Sequence, residues 1–96
     1  MTVHHKVAPE PLRSLRPGAT TWRDIDGEVI VLDVVTSQYH ALNPSAALLW
    51  RALADGAAVS DLVAQLVTDF TVDAGVAAVD VSTFLDECAH RHWITW

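Results

Sequence analysis

The chain has 96 residues, 51% of them apolar, with 12 acidic against 6 basic side chains and a formal charge of −6. That length makes one small domain with a modest core, and the charge weighs against a nucleic-acid backbone or an anionic membrane as partner, because both reward Lys and Arg. The longest apolar runs fall far short of the ~18 residues that cross a bilayer, and the single cysteine, Cys88, excludes an internal disulfide or a cysteine-only metal cage.

Met1–Pro11 is punctuated by Pro9 and Pro11 and reads as a flexible N-terminal arm. It lacks the apolar core of a signal peptide, so the expected compartment is the cytoplasm. Residues 12–96 read as the folded domain. Leu12–Arg16 is short and basic, and Pro17–Gly18 is a turn signal. Ala19–Asp24 is β-prone through Thr20, Thr21 and Trp22, and Asp26–Gly27 is a strong hairpin turn. A second strand is expected over Glu28–Val35, a tight turn at Thr36–Ser37 and a third strand over Gln38–Leu42. In this meander Glu28–Val35 is the middle strand, and the other two are edges.

Asn43–Pro44 switches the backbone to helix. Asn caps an orphan N–H, and Pro at the first helical position has no N–H to leave unpaired. The apolar stripe Ala46, Leu49, Trp50 and Leu53 then runs to a stop at Asp55–Gly56. The second helix is expected to be capped by Ser60, with Asp61 in its first turn and a stripe of Leu62, Val63, Leu66, Val67 and Phe70. The third runs from Asp73 to His92, with Ala77, Val81, Phe84, Leu85 and Cys88 inward and a second face of Val76, Val79 and Thr83. Trp93–Ile94 is an apolar ending that folds back onto the core. The expected fold is α+β, a three-stranded antiparallel sheet followed by three helices, βββααα.

Gln38–Leu42 carries no Lys, Pro or bulge signal that would blunt an edge strand. It reads either as a short solvated edge or as the wall of a groove where an extended peptide adds as a strand.

The chain resembles the PqqD-like proteins. The similarity lies in Leu15-Arg16-Pro17-Gly18, in the strand–turn–strand block ending at Tyr39, Leu42 and Asn43, and in Leu49-Trp50, Leu53 and Gly56 of the first helix. It continues in Asp80-Val81, Phe84-Leu85 and Cys88 (where the family usually has leucine) and in Trp93-Ile94. The resemblance implies a winged-helix-like domain, the RiPP recognition element. Such a domain binds the leader of a ribosomally made precursor peptide along its third strand, in a groove floored by the third helix. A stand-alone chain of this size is most similar to the B1 proteins of lasso-peptide biosynthesis, which deliver the precursor to a leader peptidase. The PqqD chaperone of another peptide-modifying enzyme is the near relative.

On this reading the leader-binding residues are Gln38, Tyr39, His40, Ala41 and Leu42 on the strand, with Val76, Val79, Asp80, Thr83 and Glu87 on the helix. Either Tyr39 and Ala41 or His40 and Leu42 face the helix. The helical face is apolar at one end and acidic at the other, which suits a leader with an apolar anchor and a basic residue. Tyr39, Val76 and Val79 also read as edge or core residues. No enzyme chemistry is expected. Cys88 lies in an apolar stripe, where a thiol behaves as a small hydrophobe. His90 and His92 are two apart and diverge on a helix, so no metal or other cofactor is expected. Asp24, Asp26, Asp33 and Asp55 lie near turns, where solvation explains them. A winged-helix DNA binder is the competing class, but the third helix carries Asp73, Asp80, Asp86 and Glu87 against Arg91. A docking patch around Trp22, Trp93 and Trp96 is a third possibility. The expected state is a monomer or a strand-exchanged dimer.

Overall fold

The computed structural model describes residues 10–95; most of the expected N-terminal arm (1–9) and Trp96 lie outside it. The elements are β1 (Ser14–Leu15), β2 (Thr20–Ile25), β3 (Glu28–Asp33), β4 (Tyr39–Leu42), α1 (Pro44–Asp55), α2 (Val59–Phe70), α3 (Ala74–His90) and β5 (Ile94–Thr95). The expected sheet is present as β2-β3-β4, antiparallel throughout, followed by the three helices. Two strands were not anticipated: β1 and β5 form a separate antiparallel pair, with Ser14 opposite Thr95 and Leu15 opposite Ile94.

Local chemistry sets the register. Ile25 opposes Glu28 across the two-residue turn Asp26–Gly27. Both turn residues have positive φ, 52° and 84°, the type I′ geometry whose twist matches paired strands. Strand β3 stops at Asp33, two residues short of expectation, because the Asp33 carboxylate takes over the backbone that follows. Its Oδ1 accepts from the N–H groups of Val35 (2.9 Å) and Thr36 (3.1 Å). Side-chain bonds of this kind replace ladder bonds and bend the chain into a turn. Ser37 then adopts a left-handed conformation (φ 60°) and closes the loop with an N–H bond to the Asp33 carbonyl.

The first helix starts as expected. Asn43 Oδ1 accepts from the Ala46 N–H at 2.9 Å, and Pro44 opens the helix. The second starts two residues early: its N-cap is Ala58, not Ser60. Asp61 reaches back to the Ala58 N–H, and the Ser60 hydroxyl donates instead to the carboxylate of Glu10, a residue of the expected arm. Asp73 caps α3 through Gly75 and Val76. That helix ends at His90 rather than His92, in a Schellman turn: Trp93 N–H bonds the Cys88 carbonyl and His92 N–H that of Ala89. His92 occupies the left-handed position (φ 60°) that glycine usually takes.

The turn delivers Trp93 into the core. Trp50, fully buried, packs edge-on against both Trp22 and Trp93, with ring centroids 6.3 and 5.7 Å away. Val29, Val31, Leu49, Leu53, Leu62, Leu66, Val81, Leu85 and Cys88 complete the core. Of the docking patch considered around Trp22, Trp93 and Trp96, Trp93 is buried, Trp22 is half-buried against the core, and Trp96 lies outside the described residues. Phe70, expected inside, is an exposed hydrophobic, because α2 ends there before its stripe completes another turn.

Candidate functional site, a sheet edge beside the last helix

The strand β4 pairs with β3 alone, so its far side is an open edge among the described residues. The register decides which groups that edge offers. The I′ turn makes Ile25–Glu28 a hydrogen-bonded pair, and Asp33 N–H bonds the Gln38 carbonyl at 2.9 Å. In an antiparallel ladder hydrogen-bonded and non-bonded pairs alternate. Val31–His40 and Val29–Leu42 are thus bonded pairs, and the main-chain groups of Tyr39 and Ala41 point outward.

The side chains split the other way. His40 and Leu42 face inward, half-buried. His40 stacks edge-on against Trp93 at 4.9 Å, and its buried Nε2 has no hydrogen-bond partner among the described residues. Tyr39, 73% exposed, lies on the opposite face of the sheet. There it borders a hollow of about 570 Å³ with Thr21, Arg23, Ile25, Ile30 and Leu32. The question left open by the sequence is settled: His40 and Leu42 look towards the helices, and Tyr39 and Ala41 away.

Of the five helix residues, Asp80, Thr83 and Glu87 come together. They line a pocket of about 330 Å³ with Phe84 of α3, Leu66 of α2, and Asn43, Ser45, Ala46 and Leu49 at the start of α1. Val76 and Val79 do not reach it. They are 51% and 64% exposed on the preceding turns of α3, so neither is core. Gln38 is exposed in the loop, its N–H bonded to the Thr36 hydroxyl at 3.3 Å. The residues that sequence reasoning missed are those of the α1 start. Asn43 holds both the Ala46 N–H and the Ser45 hydroxyl, which fixes the pocket's rim. Its capping role was legible; its place opposite α3 was not.

Asp33 is the one acid of the four whose expected environment is overturned. It is buried, and its Oδ2 accepts from the Trp93 indole N–H at 2.8 Å. That bond, then those from the Thr36 and Val35 N–H groups, hold its carboxyl below the usual carboxylate range. Asp24 is exposed but paired with Arg51, which joins β2 to α1 and also donates to the Gly27 carbonyl at 2.7 Å. Burial pushes the Cys88 thiol up to about 12, the reverse of what a nucleophile needs. No cluster of three or more metal-ligating side chains occurs among the described residues, and none of their helices is long and apolar enough to cross a membrane. The exposed face of α3 presents Asp80, Asp86 and Glu87, which repel nucleic-acid phosphates.

These features define a small α+β domain in which the uncovered edge of β4 lies beside the end of the last helix. Residues 28–94 match the family model of coenzyme PQQ synthesis protein D (PqqD), and the chain belongs to that family. Two solved structures share its fold. One is described as TbiB1 in complex with the TbiA(beta) leader peptide; it has a TM-score of 0.77 and 23% identity over 84% of this chain and 93% of that one. The other is a lasso peptide synthetase B1 complexed with the leader peptide, with a TM-score of 0.75 and 24% identity over 88% of this chain and 98% of that one. A search of the curated proteins finds no match.

Proposed function

We propose that this protein is a non-catalytic adaptor that captures the leader of a ribosomally made precursor peptide and presents it to a processing enzyme, a lasso-peptide leader protease in the first instance. The observation that carries this reading is the open β4 edge, with the Tyr39 and Ala41 main-chain groups turned outward, lying beside a pocketed face of α3. PqqD family membership and the likeness to two leader-bound B1 structures support it.

An extended leader adds as a fourth strand. Main-chain bonds to Tyr39 and Ala41 provide affinity that depends weakly on sequence, and pockets for alternate side chains provide specificity. Inward-facing leader residues meet His40, Leu42, Asp80, Thr83 and Glu87, and Val76 and Val79 extend the apolar end of that face. Outward-facing ones lie beside Tyr39, and Gln38 borders the loop end.

The test is a titration with a fluorescently labelled leader from the precursor encoded beside this gene, against a scrambled leader and a random DNA duplex. Saturable binding of the native leader alone is expected. Binding of the duplex in its place would overturn the adaptor reading.

A further inference from the structure

The groove beside β4 has ends of opposite charge. Asp80, Thr83 and Glu87 of α3 and Arg91 at its C-cap succeed one another at helical spacing, so they share one face. At the Asn43 end that face is acidic, and Asp80 and Glu87 line the pocket there. At the other end the sign reverses. Arg16 and the His90–His92 segment, distant in sequence, converge on the Val35–Thr36 loop around a cavity of about 560 Å³. Asp33 also lines that cavity, but its carboxylate is already held by three N–H donors. Trp93 holds both cations: the Arg16 N–H bonds the Trp93 carbonyl at 2.8 Å, and the Arg91 guanidinium lies 5.2 Å from the centre of the Trp93 ring. In a chain of net charge −6, two arginines lining one cavity make a local reversal of field.

We infer that the ligand strand is itself bipolar, with a basic residue towards its N-terminal end and an acidic residue about five positions later, and that this polarity fixes its direction in the groove. The inference rests on the leader-binding reading above. The spacing follows from geometry. Asp80 to Arg91 is a rise of ~16 Å along a helix, which an extended strand covers in ~5 residues. The direction follows from pairing. Every strand pair among the described residues is antiparallel, and an added antiparallel strand starts beside Leu42 and ends beside Tyr39. Its early residues therefore meet Asp80, and its later ones meet Arg91 and Arg16. A strand entering the opposite way brings like charges together at both ends, which is how electrostatic complementarity sets register.

The experiment uses the full chain and the labelled leader of the neighbouring precursor. Hydrogen exchange first maps the leader stretch protected on binding; a stretch without a basic residue followed by an acidic one overturns the inference. Asp80→Lys and Arg91→Glu are then titrated, with circular dichroism confirming that each is folded. Each substitution is expected to weaken binding about three- to tenfold at ~50 mM salt, with the difference shrinking at ~0.5 M. Reversing the basic leader residue is expected to rescue Asp80→Lys alone, and reversing the acidic one to rescue Arg91→Glu alone. Unchanged affinities in the variants, or losses that neither peptide rescues, would overturn the inference while leaving leader binding intact. Absence of binding by the wild-type chain would remove the leader-binding reading itself.

Discussion

At Asp33 both carboxylate oxygens are engaged, one by the loop N–H groups of Val35 and Thr36 and the other by the Trp93 indole. This residue ends a strand, shapes the loop before the open edge and anchors the tail that follows α3. Asparagine in its place offers one oxygen and turns its amide donor towards another donor. Asp33→Asn is therefore expected to lower the urea unfolding midpoint at pH 7. The sign of the pH dependence follows from the folded carboxyl lying below its unfolded value of ~4. The stability it contributes is full above that value and is lost as pH falls through the lower, folded one. The gap between wild type and Asp33→Asn should accordingly be present at pH 7 and close below about pH 4. A gap independent of pH would show that packing, not charge, is what the substitution removes.

The strand β4 separates two kinds of main-chain group, and proline distinguishes them. The Ala41 N–H faces the open edge, whereas the His40 N–H belongs to the ladder with β3. Proline is tolerated on an edge strand where its missing N–H faced solvent. Ala41→Pro is expected to stay folded, within about 1 kcal/mol of wild type, and to bind the leader at least tenfold more weakly. His40→Pro removes a ladder bond and is expected to cost at least ~1–3 kcal/mol in stability. Denaturation curves and leader titrations on the two variants check this. Full leader affinity in Ala41→Pro would move the ligand away from this edge.

For the molecule as a whole, the core is a join between distant segments. Trp50 of α1 sits between Trp22 of β2 and Trp93 beyond α3, and β1 pairs with β5 so that the two described ends of the chain meet. Cys88 lies inside this join, and its thiol is pushed up to about 12 by burial. At pH 8 only about one thiol in ten thousand is then ionised. Alkylation of Cys88 by iodoacetamide is expected to be slow in the folded protein and to accelerate in urea at the midpoint where tryptophan fluorescence changes. Fast labelling without denaturant would mean that the α3 end opens locally, well below the global transition.

The sequence alone determined the elements whose signals are local. Asp26–Gly27 required a hairpin, Asn43–Pro44 a helix start, and the apolar stripes of the three helices named most of the core. Periodicity also put Asp80, Thr83 and Glu87 on one face of α3, because helical spacing is a property of the chain itself. Only the tertiary structure decided the rest. It showed which face of β4 looks inward, because alternation fixes two faces but not which is buried until register with β3 is known. Two-residue strands carry no period, so β1 and β5 emerge only when the ends of the chain are brought together. Asp33 read as solvated because its partner, the Trp93 indole, is sixty residues away. The arrival of Arg16 beside the end of α3 is decided in the same way, since charges far apart in sequence form one field only when the fold closes the distance between them.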